Sequence, residues 1–472
     1  MKRKCTDTLV EFALAPSYDD LPRDVQHATK RVLLDTIGCS IAGLDTQIGR
    51  SLTKLKQRQG GVAESILFAS GVRLPAPSIA FVHAQAANSM DADETLLHRS
   101  HFACSIALPA LAFAEKLGSS GKDLLAASAV GFDIASRVNL ALPLYDVSGA
   151  NEVKMVRIHG YSAAVFGTTA AVGRLLGLSR KQMSHAYAIA YANAPLQRVR
   201  SGSRKPMTKY TAYGQIALAG AEAALLAADG FTGDDAILDP HLEFWRGLGA
   251  DSCDYDFMLR DLGKRWFIAE TSFKPYPVGR QANIPVDLFG KIVSEQRLRM
   301  EEIEEVVVRV PPSRLVQDLA QALNPESSVD APFSVGYGMT MIATGLPPGP
   351  KWHRTENFTN PVYLAFMRKL RGEVVPEWHA TMVEQIKSEG TYRRIPTEVQ
   401  VTARGQTFTA FAEYPRGDPW TTESVLSDQQ IFDKFTEFTS DRLQAPNALR
   451  AITAVFGLDA APDITDLISA LA

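Results

Sequence analysis

Helical periodicity dominates the first 270 residues and most strongly limits the folds open to this chain of 472 residues. Residues 25–42 and 122–138 place apolar side chains on one stripe at the spacing of an α-helix. Residues 162–176 and 215–227 are rich in Ala and Gly, so neighbouring backbones can approach them closely, and we expect these two helices at the centre of the molecule. The first part of the chain is therefore predicted to be all-helical.

The character of the sequence changes at Phe273-Lys274-Pro275-Tyr276-Pro277. Residues 306–310 form a β-branched run, which is typical of a strand. Residues 398–403 and 407–414 alternate in polarity on either side of Arg404-Gly405-Gln406, a pattern that predicts a β-hairpin. A smaller domain with both strands and helices is therefore predicted to follow the helical one.

The predicted fold class is mainly α, with a large all-helical domain and an inserted smaller α+β lid domain. The helical domain comprises residues 1–269 and 416–472, and the lid comprises residues 270–415. Within the lid we expect a helix at 286–296 and a loop at 347–361. Because the sequence is helical again after the insert, its tail is expected to pack back onto the first domain.

Composition excludes several classes of protein. Lys and Arg number 49 against 52 Asp and Glu, and this balance argues against a nucleic-acid binder. The four cysteines are scattered and form no CxxC pair, which favours reduced thiols in a cytoplasmic protein. No apolar stretch reaches the roughly 18 residues that a membrane span needs. Phosphate-binding glycine loops, HExxH and GxSxG motifs are all missing from the sequence.

The densest polar cluster lies between two predicted helices, at residues 91–101, and holds three carboxylates and two histidines. These residue types suit proton transfer, because His titrates near neutral pH and a carboxylate can orient it. A solvated loop with helix-capping acids remains an alternative. A metal site using His98 and His101 with Asp91 or Asp93 is disfavoured, because no separate second ligand pair is apparent. No metal is therefore predicted.

A second cluster, at residues 198–209, carries five cations in a Gly-, Ser- and Pro-interrupted segment that includes Arg200 and Arg204. Such a loop can form a pocket for carboxylates, which Arg binds in a bidentate manner, or it can be a solvated basic loop. His159 and Lys274 stand alone in their segments. Taken by itself, each is as compatible with a structural role as with a functional one.

Together these segments resemble the MmgE/PrpD family, which includes 2-methylcitrate dehydratases, cis-aconitate decarboxylases and an iminodisuccinate epimerase. The resemblance runs through nearly the whole chain. The motifs that carry it are, in order, Leu34-Asp35-Thr36-Ile37-Gly38, Met90-Asp91-Ala92-Asp93-Glu94-Thr95 with His101, His159 before Gly173-Arg174-Leu175-Leu176-Gly177-Leu178, Met207-Thr208-Lys209, Gly230-Phe231-Thr232-Gly233, Lys274-Pro275-Tyr276-Pro277, Phe333-Ser334-Val335-Gly336-Tyr337 and Gly417-Asp418-Pro419.

The resemblance implies a homodimer with a cofactor-free site in the cleft between a helical domain and a lid. The positions that match the family's site are Asp91, Thr95, His101, His159, Lys209 and Lys274. This chain departs from the family's pattern at His159-Gly160-Tyr161, where many members have HPT. It also departs at Ala212 and Gly279, which stand where relatives often have His. Arg280, next to Gly279, is a candidate for an extra carboxylate contact.

The predicted function is a cofactor-independent lyase, a dehydratase or decarboxylase, that removes a proton next to a carboxylate of a small di- or tricarboxylate. His101 or His159 is the expected base and Asp91 its orienting partner. Lys209, Lys274 and Arg280 are the expected carboxylate ligands, with Thr95, Arg200 and Arg204 as further binding candidates. Two alternatives remain: an isomerase or epimerase that uses the same acid–base site, and a non-catalytic carboxylate-binding protein on a degenerate scaffold.

Overall fold

The computed structural model describes residues 4–97, 99–149, 152–156, 160–195, 206–312 and 325–472. Over these residues the protein is mainly α-helical, which confirms the predicted fold class. The helices that precede residue 273 are α1 (Cys5–Leu14), α2 (Arg23–Gly43), α3 (Gln47–Gln59), α4 (Ala76–Asn88), α5 (Ala103–Leu117), α6 (Gly121–Leu140), α7 (Ala164–Leu175), α8 (Arg180–Ala192), α9 (Ala212–Ala228), α10 (Phe244–Gly247) and α11 (Tyr255–Leu259).

The later helices and the strands complete the fold. The helices are α12 (Arg280–Glu295), α13 (Val335–Ala343), α14 (Thr355–Phe358), α15 (Pro361–Met367), α16 (His379–Glu389), α17 (Asp428–Thr439), α18 (Ala445–Phe456) and α19 (Thr465–Leu471). The strands are β1 (Ser65–Ile66), β2 (Arg73–Leu74), β3 (Tyr145–Ser148), β4 (Glu152–Met155), β5 (Ile303–Val310), β6 (Leu370–Val374), β7 (Thr397–Ala403) and β8 (Gln406–Ala412).

The helices rich in Ala and Gly lie at the centre, as predicted, because small side chains let them pack closely. Every residue of α7 from Ala164 to Gly173 is buried. A Cβ atom placed on Gly131 of α6 would lie only 2.6 Å from the carbonyl oxygen of Gly167 in α7. No larger residue fits at this crossing, so the close contact between the two helices depends on both glycines.

A four-stranded sheet forms most of the β-structure, in the order β6-β5-β7-β8. Strand β5 pairs in parallel with β6 and antiparallel with β7, which pairs antiparallel with β8. The β7–β8 hairpin turns through Arg404 and Gly405 alone, with φ angles of 55° and 68°. Two successive positive φ values are the signature of a type I′ turn, whose twist matches that of the flanking strands. The predicted hairpin is therefore present, with a tighter turn than expected.

Several local predictions were wrong or incomplete. Helix α12 begins at Arg280 rather than near residue 286. Pro285 does not end the helix, because the apolar residues on either side of it are buried. The loop predicted at 347–361 contains α14 and a 3₁₀ turn at Pro350–His353. The short strands β1 to β4 interrupt the region predicted as all-helical, and β6 was also missed. Strand β6 lies at a sheet edge with Arg371 and Gly372 exposed, so it has no alternating apolar pattern.

Most buried apolar residues fall into two large clusters. The helical cluster runs from Cys5 to Phe273 and resumes from Leu426 to Leu471, so the tail packs back onto the first helices as predicted. The sheet cluster runs from Tyr276 to Ala403 and also receives Tyr145 and Val147 from the β3–β4 hairpin. The domain boundaries proposed from the sequence stay a prediction. No helix among the described residues is both long and apolar enough to span a bilayer.

Candidate active site

The loop between α4 and α5 meets the segment that joins the two apolar clusters. Thr95 and Ser272 exchange backbone hydrogen bonds, and each amide nitrogen lies 2.9 Å from the other residue's carbonyl oxygen. Asp91 adopts a left-handed backbone conformation, with φ at 53°, where the chain turns after α4. Because Lys274 follows Ser272 by two residues, the pairing brings Lys274 beside Asp91 although the two are 183 positions apart.

Lys274 and Asp91 form a buried ion pair. The Nζ atom of Lys274 lies 2.6 Å from Oδ1 of Asp91, and Nζ also donates to the backbone oxygen of Asp91. The two side chains are only 1% and 7% exposed. Charge-assisted hydrogen bonds are stronger where water is excluded, so Asp91 holds the ammonium group in one position. The role of Lys274 as a substrate ligand stays a prediction.

His101 is held by its Nδ1 atom. This nitrogen lies 2.6 Å from the backbone oxygen of Glu94 and 3.2 Å from Oδ1 of Asp93. A carbonyl oxygen can only accept, so the hydrogen of the neutral ring sits on Nδ1 and the lone pair on Nε2. Nε2 lies 3.6 Å from Oδ1 of Asp91. The closer carboxylate is therefore Asp93, while the orienting role predicted for Asp91 stays a prediction.

The two acids that follow Asp91 have pKa values shifted in opposite directions. Burial alone would raise the pKa of Asp93, but the adjacent His101 ring and the Lys274 ammonium lower it below its usual value. Burial and the negative charge of Asp93 raise the pKa of Glu94 well above its usual value. Glu94 Oε1 accepts a 2.6 Å hydrogen bond from the backbone nitrogen of Ala103 at the start of α5. The ionised form is thus favoured at Asp93 and disfavoured at Glu94, and Glu94 caps a helix.

Residues outside the loop hold it in place by hydrogen bonds. Asn88 Nδ2 donates to Oδ1 of Asp93 at 3.0 Å. Lys434 of α17 donates to the backbone oxygen of Ala92 at 2.7 Å and lies 2.6 Å from Oδ1 of Asp35 in α2. Burial lowers the pKa of Lys434, but the Asp35 carboxylate more than offsets this and raises it. The C-terminal tail therefore contributes a buried cation that fixes the backbone between the site's two aspartates.

Two predicted substrate ligands use their polar atoms in hydrogen bonds or ion pairs within the protein. The hydroxyl of Thr95 lies 3.3 Å from the backbone oxygen of Leu97 and 3.2 Å from that of Ser100. The guanidinium of Arg280 forms a buried ion pair with Asp418, in which Nε donates to Oδ1 at 3.2 Å. Their assignment as substrate ligands stays a prediction.

The other predicted residues are not described, or are described only in part. His159, Arg200 and Arg204 lie outside the described residues, as does His98 of the metal alternative. For Lys209 the structure describes the backbone, which lies in the 3₁₀ turn Met207–Thr211. Among the residues that the structure does describe, no group of three or more His, Cys, Asp or Glu side chains has a geometry suited to a metal ion.

Two functional candidates were missed by sequence reasoning. His353 reaches the site from the sheet cluster, and its Nε2 lies 3.3 Å from the backbone oxygen of Pro277, while Nδ1 is buried without a hydrogen-bond partner. Burial lowers the pKa of His353 to about 4, although the negative charge of Asp91 opposes this shift. The ring of Tyr213 meets that of His101 edge-on at 5.6 Å. His353 lay in a predicted loop, and Tyr213 follows Ala212, where a missing histidine had drawn attention instead.

Comparison with known protein families identifies the class to which this architecture belongs. The MmgE/PrpD N-terminal domain matches residues 7–253, and the MmgE/PrpD C-terminal domain matches residues 276–459. The chain belongs to the MmgE/PrpD family, as the motifs predict.

Individual relatives are similar over most of this chain. The human cis-aconitate decarboxylase is 27% identical over 463 residues, which cover 94% of this chain and 89% of the human protein. The cis-aconitate decarboxylase of Mus musculus is 25% identical over 489 residues, which cover 99% and 93% of the two chains. A cis-aconitate decarboxylase of Aspergillus terreus is 25% identical over 307 residues, which cover 62% of this chain and 60% of the fungal protein.

Proposed function

We propose that this protein is a cofactor-independent lyase that removes a proton next to a carboxylate of a small di- or tricarboxylate. The observation that carries the proposal is the geometry of His101, whose Nδ1 is held by Glu94 and Asp93 so that Nε2 is the nitrogen left to exchange a proton with a substrate. A base in this geometry can accept a proton from carbon, provided that a cation stabilises the resulting charge. Membership of a family that contains lyases, and similarity to cis-aconitate decarboxylases, support the same class of reaction.

The reaction begins when Nε2 of His101 takes the proton on the carbon next to a substrate carboxylate. The electron pair of the broken C–H bond moves into that carboxylate and makes an enediolate-like species with an additional negative charge. Lys274, already aligned by Asp91, is the cation proposed to bind this carboxylate, and Lys209 is its proposed counterpart in the helical region. Both would bind carboxylate oxygens and stabilise the developing charge.

Two outcomes of the intermediate belong to the lyase class. In a dehydration, the electron pair returns to form a carbon–carbon double bond as a β-hydroxyl leaves and takes up a proton to become water. In a decarboxylation, the intermediate first regains a proton at another carbon of a conjugated system. The bond to a carboxylate carbon then breaks, CO2 leaves, and the carbon that keeps the electron pair accepts a second proton. His159 is proposed as the second acid–base group, and Thr95, Arg200, Arg204 and Arg280 as further substrate ligands. No step requires a metal or organic cofactor.

The absence of a proton-transfer side chain at two positions favours an epimerase as the second candidate. Gly279 and Ala212 stand where relatives often have His, and the nearest atom to a Cβ placed on Gly279 is the carbonyl oxygen of Pro332 at 3.7 Å. There is thus room for a side chain at Gly279, yet the chain carries none. An epimerase needs no acid to protonate a leaving hydroxyl, because it returns a proton to the opposite face of the same carbon.

Proton NMR in D2O with a panel of di- and tricarboxylates separates these functions. The lyase predicts deuterium uptake together with alkene signals or CO2 release, and an epimerase predicts deuterium uptake with inversion alone. His101→Gln should abolish every signal, whereas His241→Gln, at an exposed position, should change none. Treatment with EDTA should leave the rate unchanged. Tight binding of a carboxylate by the wild type without any exchange would instead indicate a non-catalytic binding protein.

The family resemblance also implies a homodimer, which remains a proposal. Light scattering at micromolar concentration should give twice the 51.4 kDa chain mass. A mass equal to that of one chain would contradict it.

A further inference from the structure

Arg99 is a buried cation without an anionic partner in the part of the chain that the structure describes. Its side chain belongs to the same loop as Asp91 and His101, and the residue is only 7% exposed. Nη1 donates to the backbone oxygen of Leu142 at 2.9 Å, while Nε is buried with no hydrogen-bond partner. Burial lowers the pKa of Arg99 to about 10, which still leaves it charged at neutral pH. A buried charge is costly to a protein unless something pairs with it.

The other buried arginines of the described chain are paired. Arg137 is 1% exposed and forms an ion pair with Asp133, and Arg280 is 7% exposed and forms one with Asp418. For Arg99, no carboxylate among the described residues lies within ion-pair distance. The fold therefore neutralises buried guanidinium groups elsewhere but leaves this one open beside the candidate active site.

The surroundings of Arg99 extend from the catalytic loop toward the sheet cluster. Its charge interacts with Tyr145 of β3, whose ring lies 5.6 Å from that of Tyr392. The Tyr392 hydroxyl accepts a 2.6 Å hydrogen bond from Nε2 of Gln281, and the charge of Arg280 also acts on this tyrosine. Two guanidinium groups thus act on one tyrosine pair, whose rings pack with the sheet cluster.

We propose that Arg99 binds a second carboxylate of the substrate, distant from the reacting carbon, and so determines specificity for di- and tricarboxylates. This inference rests on the proposed function, in which Lys274 binds the carboxylate next to the reacting carbon. A guanidinium offers parallel N–H groups that match the two oxygens of a carboxylate, and the unpartnered Nε is one of them. The substrate then supplies the missing counter-ion, and binding energy far from the chemistry positions the reacting carbon.

The proposal makes an unusual prediction about stability, which separates it from a structural role. In the free protein the unpaired charge does not stabilise the fold, so Arg99→Met should leave the melting temperature unchanged or raise it. Arg137→Met, at an equally buried but paired position, should lower the melting temperature strongly. Arg180→Met, at an exposed position on α8, is the control for the loss of one positive charge.

Isothermal titration and thermal shifts with acetate, succinate, tricarballylate and inorganic phosphate test the binding role without any turnover. Arg99→Met should weaken the tricarballylate and succinate complexes by about tenfold to a hundredfold, the scale of a hydrogen bond to a charged group. Acetate binding should not change, because one carboxylate needs only Lys274. Arg99→Lys should recover part of the affinity, and Arg180→Met should bind all four ligands as the wild type does.

Three results would overturn the inference. Equal affinities for wild type and Arg99→Met would remove Arg99 from the substrate site, while deuterium exchange in the NMR experiment would still decide the proposed function on its own. A large fall in the melting temperature of Arg99→Met without ligand would give it a structural role. Tighter Arg99-dependent binding of phosphate than of any carboxylate would assign the position to another class of anion.

Discussion

Two regions of this protein bury charged side chains, and they differ in whether the polar atoms of those side chains are hydrogen-bonded within the described structure. In α6, Arg137 lies 2.5 Å from Asp133 and donates to three backbone oxygens between residues 260 and 265. The second oxygen of Asp133 accepts from the backbone nitrogen of Phe267 at 3.1 Å. The carboxylate and the guanidinium therefore both have partners within the protein.

In the candidate active site, several polar atoms have no hydrogen-bond partner among the described residues. Oδ2 of Asp93, Oε2 of Glu94, Nε of Arg99 and the hydroxyl of Ser100 are all buried without a hydrogen bond. Buried polar groups are paired in the great majority of cases, so four exceptions in one loop require an explanation. We infer from the difference that the paired charges hold the fold together, and we propose that a ligand or a moving proton completes the unpaired polar atoms of this loop.

The largest expected effect on activity falls on the site. His101→Ala and His159→Ala should each lower kcat by about 100-fold or more, the usual contribution of a general acid–base group. Because the His101 side chain is partly exposed, the far-UV circular dichroism of His101→Ala should stay unchanged. Steady-state kinetics on the substrate found by NMR measures kcat. Turnover near the wild-type rate in both variants would contradict the proton-transfer assignment.

The ion pair between Arg137 and Asp133 should affect stability rather than activity. Arg137→Met leaves Asp133 buried without its cation, so we expect a loss of about 3–5 kcal/mol in the free energy of unfolding. Urea denaturation measures the loss, and Arg180→Met should change stability by less than about 0.5 kcal/mol. The folded fraction of Arg137→Met should keep its kcat. A loss below about 1 kcal/mol would mean that buried charges paired within the protein do not stabilise it, and the contrast with the unpaired charges of the site would not hold.

A buried histidine outside the site is expected to make the stability of the protein depend on pH. His83 of α4 is fully buried, its Nε2 accepts from the backbone nitrogen of Phe68 at 3.2 Å, and burial lowers the pKa of His83 to about 3. The unfolded chain takes up a proton at this residue below about pH 6.5, whereas the folded protein does not. Stability from His83 is therefore complete above pH 6.5 and is lost as the pH falls from 6.5 toward 3.

Between pH 6.5 and 4.5 this linkage amounts to about 2–3 kcal/mol at roughly 1.4 kcal/mol per pKa unit. His83→Gln keeps an acceptor for Phe68 but does not titrate, so its stability should depend less on pH by that amount. Urea midpoints at the two pH values measure the difference. Identical pH profiles for wild type and variant would show that His83 is not the group responsible.

The smallest expected effect concerns the two lysines. Lys274→Met and Lys209→Met should each weaken carboxylate binding by about 1.5–3 kcal/mol, the scale of a hydrogen bond to a charged group. Lys274→Arg should not restore affinity fully, because a planar fork does not replace the ammonium that Asp91 holds at 2.6 Å. If one substrate bridges both lysines, the two losses should not add.

Titration calorimetry on the four proteins of a double-mutant cycle measures the coupling. Strictly additive losses would mean that the lysines do not bind one substrate together. Unchanged affinity in Lys274→Met would mean that the ion pair of Lys274 with Asp91 is structural and that Lys274 does not bind the substrate.

Local sequence patterns were sufficient to predict most of the fold. The 3.6-residue period places α2, α6, α7 and α9 within a few residues of their observed bounds, and alternation predicts β7 and β8. These elements could be read directly because burial on one face leaves its period in the chain. Strand β6 and helix α14 could not, since an exposed edge strand and a four-residue helix leave no period.

Much of the candidate site could also be read, because Asp91, Asp93 and His101 lie within one short loop. What the sequence by itself determined is therefore which helices form, where the chain changes to β-structure, and which loop concentrates the acid–base groups. Only the tertiary structure decided which charges are paired: it brings Lys434 under Ala92 from 342 positions away and sets Lys274 against Asp91 from 183. The reason is physical, since a residue's charge is visible in its type, whereas its counter-ion depends on which distant segment packs against it.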